Sequence, residues 1–93
     1  MNTYVIERGI SGIGASSADE LVAISRKSAG VLSSMGPDIE WLHSYVTADK
    51  IYCVYRAQSP ELVLEHARVG GFPADSVAEV ASVIDPTTAG VDA

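Results

Sequence analysis

Apolar and polar positions alternate along some stretches of this chain and recur every three to four residues along others. From Thr3 to Arg8, Tyr4 and Ile6 alternate with Val5 and Glu7, the periodicity of a strand. Between Ile39 and Ala57, two runs of β-branched and aromatic residues flank the polar stretch Thr47-Ala48-Asp49-Lys50. That pattern predicts a β-hairpin. With Val46 and Ile51 closing the turn, the cross-strand pairs are Tyr45 with Tyr52, His43 with Val54 and Trp41 with Arg56. One face then carries Trp41, His43, Tyr45, Tyr52, Val54 and Arg56. Leu42, Ser44, Val46, Ile51, Cys53 and Tyr55 make the other, which suits burial beneath helices.

Helical spacing supplies the rest. Ser17 and Glu20 form a capping-box signature, after which Leu21, Ile24, Ser28, Val31, Leu32 and Met35 recur on one face until Gly36-Pro37 ends the run. Ser59-Pro60-Glu61 opens a second helix and Gly70-Gly71 closes it. At ~100° per residue, Leu62, Val63, His66, Ala67, Val69 and Gly70 share an apolar arc opposite Glu61, Glu65 and Arg68. A last strand is expected from Ser76 to Ile84, imperfect in its alternation. Residues 1–86 form the domain and 87–93 a loose tail.

The order βαββαβ with right-handed crossovers gives an α+β, ferredoxin-like fold, a four-stranded antiparallel sheet with both helices on one side. Its other face would expose more aromatic and apolar surface than monomers usually carry. A homodimer packed sheet to sheet, a dimeric α+β barrel, is therefore expected.

Composition narrows the partners. A net charge of −6 from 12 acidic and 6 basic residues provides no basic stripe, which argues against nucleic acid and anionic lipid and leaves metal cations or small molecules. No apolar run approaches the ~20 residues of a membrane span and no export signal opens the chain, so a cytoplasmic location is expected. Cys53, the single cysteine, rules out an internal disulfide.

Two sets of side chains could do chemistry. On the open face, His43 with Glu7, Tyr45 and Tyr52 offers nitrogen and oxygen donors for a divalent transition metal, or an acid–base pair. On the covered face, His66 could join Cys53, Tyr55 and Tyr4 around a pocket, or simply hydrogen-bond within the core. The two histidines lie on opposite sides of the sheet and cannot share an ion within one chain. Gly12-Ile13-Gly14 precedes a capped helix, but Ser17 stands where a dinucleotide fingerprint needs its third glycine, so a phosphate loop is disfavoured. Asp49 and Asp85 read as turn residues, and Arg26 and Lys27 as solvated helix surface.

The segments TYVIER (3–8), HSYVTADKIYCVY (43–55), EHARVGGFP (65–73) and VIDPTTA (83–89) resemble a family of small bacterial ferredoxin-like proteins of unassigned function that includes a nickel-binding dimer. The resemblance implies a dimeric protein that binds Ni(II) or another divalent transition metal. A small dimeric α+β barrel enzyme, monooxygenase- or isomerase-like, with a pocket histidine as general base, is the alternative.

Overall fold

The computed structural model describes residues 1–90. Strands β1 (Asn2–Gly9), β2 (Ile39–Val46), β3 (Lys50–Ala57) and β4 (Ser76–Glu79) form one sheet in the order β2-β3-β1-β4, every neighbouring pair antiparallel. Helices α1 (Ala18–Met35) and α2 (Pro60–Gly70) complete the ferredoxin-like βαββαβ arrangement. Among the described residues, no helix is long and apolar enough to cross a membrane.

The helix ends form for the reasons their residues suggest. Ser17 Oγ accepts from the Glu20 amide at 3.1 Å while Glu20 Oε1 accepts from the Ser17 amide at 3.2 Å. Two N–H groups with no partner inside the helix are thereby satisfied. Gly71, at φ 70°, caps α2 in the left-handed region, and the Phe72 amide donates back to the Ala67 carbonyl at 2.9 Å. Ser59 precedes α2 in extended conformation but makes no side-chain cap; Pro60 at the first helical position accounts for the start.

The core lies between sheet and helices. Tyr4 and Ile6 of β1, Ile39 of β2, Ile51, Cys53, Tyr55 and Ala57 of β3, Val63 of α2 and Ile13 of the loop after β1 are its buried members. Burying a side chain such as Ile6 contributes about 1.5–3 kcal/mol. Helix α1 contributes unevenly, since of its 18 residues only Ser28 is buried.

Two expectations are corrected. The hairpin register holds at Val46–Ile51, Tyr45–Tyr52 and His43–Val54, but Trp41 pairs with Tyr55 instead of Arg56, across a bulge between Trp41 and His43. One unpaired residue inverts the face of everything before it. Trp41 therefore sits on the helix side, and Leu42, expected in the core, is 41% exposed. Strand β4 stops at Glu79, not Ile84. It runs antiparallel toward the start of β1, and after Glu79 pairs with Tyr4 and the Val80 amide donates to the Thr3 carbonyl, only Met1 and Asn2 remain on that side, too few for the pairing to reach Ile84. In the expected tail, Pro86–Ala89 forms a 3-10 turn whose cap, Asp85, accepts from the Thr87 and Thr88 amides while Thr88 Oγ1 accepts from the Asp85 amide. Residues 91–93, the remainder of that tail, lie outside the described residues.

Candidate functional site

The open face is organised by register. Tyr45, Tyr52, Glu7 and Ser76 form one row across the four strands, and His43, Val54, Val5 and Ala78 the next. His43 is exposed, and its ring meets the edge of Tyr45 with centroids 5.1 Å apart. Glu7 is two strands away and one row over. Its Oε1 accepts from Lys50 Nζ at 2.7 Å and from the Tyr52 hydroxyl at 3.4 Å. The Glu7 carboxylate holds the Lys50 ammonium above its ordinary pKa, chiefly through that hydrogen bond. The four expected residues thus share a face, Tyr45 touching His43 and Tyr52 bonding Glu7. His43 and Glu7 themselves are not joined. Among the described residues, no three His, Cys, Asp or Glu side chains group closely enough to hold a metal ion.

The covered face holds a different arrangement. His66 is fully buried on α2, its Nε2 3.2 Å from Ser28 Oγ and 3.4 Å from the Ser28 carbonyl. Nε2 donates to the Ser28 carbonyl in one tautomer and accepts from the Ser28 hydroxyl in the other. Nδ1 is buried without a partner among the described residues. Burial, and secondarily the nearby Arg8 charge, lowers the His66 pKa below its ordinary 6.5, only partly offset by the Ser28 carbonyl. The ring packs between Tyr55 and Phe72, with centroids 5.3 and 5.4 Å away.

Beneath the first half of α1 lies a cavity of about 270 Å³. Ile10, Leu21, Ile24, Val46, Ile51 and Trp41 supply most of its apolar wall. Of the four residues expected around a covered-face pocket, Cys53 and Tyr55 line it, whereas His66 and Tyr4 do not. His66 is thus sealed behind Tyr55 and Phe72 instead of facing the cavity. Burial first, then the Cys53 thiol nearby, pushes the Tyr55 phenol above its ordinary pKa, against the opposing pull of Arg8.

Arg8, the charged member of this wall, was not anticipated from the sequence. It is only 3% exposed. The signal was present, because strand alternation that turns Tyr4 and Ile6 inward turns Arg8 inward too.

The glycines of the loop after β1 have a structural use. The Gly14 amide donates to the Ala48 carbonyl at 3.0 Å, the Gly12 amide to Asp49 Oδ1 at 2.9 Å and the Ile10 amide to the Asp49 carbonyl at 2.9 Å. A Cβ on Gly14 would stand 2.7 Å from backbone atoms of Thr47 and Ala48. The loop clamps the hairpin turn.

With this geometry in place, comparison with known proteins places the chain. The family model for nickel responsive proteins of the SCO4226-like type matches residues 4–80. The chain belongs to the SCO4226-like family. The crystal structure of SCO4226 from Streptomyces coelicolor A3(2) superposes with a TM-score of 0.74 at 19% identity, covering 88% of this chain and 99% of that one. At that identity the likeness speaks for the fold. No curated protein matches the chain.

Proposed function

We propose that the protein is a small homodimer that binds a nickel-type divalent cation on the open face of its sheet, with His43 as the principal ligand. Glu7, Tyr45 and Tyr52 are the supporting oxygen donors. The observation that carries this reading is the exposed His43 imidazole, set against Tyr45 on a face covered by no helix. The family's description as nickel responsive supports the class of ion.

Among the described residues a single chain lacks a chelating set, and the proposal accounts for that by placing the site at the seam between two copies. Facing sheets bring two His43 rings and their tyrosine neighbours to one interface. Imidazole and oxygen donors together suit nickel, zinc and copper. Glu7 becomes a ligand only by exchanging its Lys50 partner for the cation, so its participation follows binding at His43.

Calorimetric titration with nickel tests the reading. The expected result is binding tighter than micromolar that His43→Ala removes and His66→Ala leaves in place, since His66 is sealed in the core. Binding that survives His43→Ala unchanged, or no binding at all, overturns it.

A further inference from the structure

The cavity beneath α1 combines two features that ordinary packing does not explain. The first is its existence, about 270 Å³, partly open to solvent and lined mainly by apolar side chains. A water's share of liquid volume is ~30 Å³, so this is room for roughly nine such units, or a small organic molecule. The second is the state of Arg8. Its guanidinium donates to the Pro73 carbonyl and, at 3.5 Å, to the Tyr55 hydroxyl, and lies 5.5 Å from the centre of the Phe72 ring. No carboxylate answers its charge, because the ion pairs among the described residues are Lys50 with Glu7 and Arg68 with Glu65. Lys27 lies 5.2 Å from the same Phe72 ring, adding a second cation at that end.

A buried cation without a counter-ion is costly, and arginine's planar fork matches a carboxylate through two parallel hydrogen bonds. We propose that the cavity between α1 and the sheet binds a small amphipathic monocarboxylate, its carboxylate on Arg8 and its hydrocarbon along Ile24, Ile51 and Trp41. The register supports such a layout. The backbone of Arg8 lies in one inner-face row with Ile51 and Val46, and those of Trp41 and Tyr55 two rows further along β3, about 14 Å at strand spacing. The Arg8 side chain spans part of that distance to reach the Tyr55 hydroxyl, and the rest is apolar wall. A wholly polar anion such as phosphate would leave that wall unfilled. This site is on the opposite side of the sheet from His43 and does not depend on metal binding.

Trp41, the chain's single tryptophan, is a built-in reporter. Its emission is titrated with octanoate, with 1-octanol and with octylammonium as chain-matched controls, and with inorganic phosphate. The expected result is a saturable change with octanoate at least tenfold tighter than with octanol, and none with octylammonium or phosphate. In Arg8→Met, with folding checked by circular dichroism, octanoate falls to the level of octanol. Equal affinity for octanoate and octanol in the wild-type protein, or emission unmoved by octanoate, overturns the proposal. That comparison stands even if Arg8→Met does not fold.

Discussion

Trp41 faces Tyr55 across the β2–β3 ladder, whereas His43, two residues on, faces Val54, so one extra residue, Leu42, sends the indole and the imidazole to opposite sides of the sheet. The indole forms part of the cavity wall, and its Nε1 donates to Ser44 Oγ at 2.9 Å. The imidazole remains on the open face. Deleting Leu42 should restore simple alternation and force one ring onto the wrong side. The expected outcome is a red-shifted Trp41 emission and a loss of about 3 kcal/mol or more, the scale of removing a large aromatic from a core. Fluorescence and urea denaturation check both.

The glycines separate by what surrounds them. Gly14→Ala drives a methyl group into the Thr47–Ala48 backbone, which cannot yield as a flexible side chain would. Overpacking of this kind costs about 1–3 kcal/mol. Gly30, inside α1, behaves oppositely, because a methyl group added there would meet nothing within 4 Å. Gly30→Ala should stabilise by about 0.5–1 kcal/mol through helix propensity. Denaturation midpoints of the two variants should move in opposite directions.

His66 ties stability to pH. Its folded-state pKa lies below the ordinary 6.5, so the unfolded chain takes up a proton more readily than the folded one. Its contribution is intact above pH 6.5 and declines as pH falls from there toward the lowered folded value. The melting temperature should drop on acidification through that window, and His66→Gln should flatten that part of the curve. NMR titration of the His66 ring should show its midpoint displaced downward.

Gly70 and Phe72 are similarly interlocked. A Cβ on Gly70 would collide with the Phe72 ring, so Gly70→Ala must push the ring aside. The ring lies against His66, Arg8 and Lys27. Gly70→Ala should therefore lower the melting temperature and shift the His66 and Arg8 side-chain resonances together, as heteronuclear NMR would show.

The parts of this fold that were legible in the sequence are those fixed by local chemistry. Ser17 with Glu20, Gly71 after α2 and the alternation around Thr47–Lys50 each specify a cap or a turn through neighbours a few residues away. What was hidden depended on distant partners. No local signal marks Leu42 as the bulged residue, because its neighbours on both sides suit a strand. That β4 cannot extend to Ile84 is set by where β1 begins, far away in sequence. At the candidate sites, alternation correctly placed His43, Tyr45 and Tyr52 on one face with Glu7, but could not show Lys50 occupying the Glu7 carboxylate. His66 was legible as inward-facing; that Tyr55 and Phe72 would seal it from the cavity was not.

Whether His43 on the open face holds the cation between two copies of the chain is decided by an anomalous-scattering map from crystals soaked in nickel. The expected map has a peak bonded to a His43 imidazole nitrogen where two sheets face each other. A peak at His66 and Cys53, or no peak beside His43 in crystals whose open face meets only solvent, would contradict the proposed site.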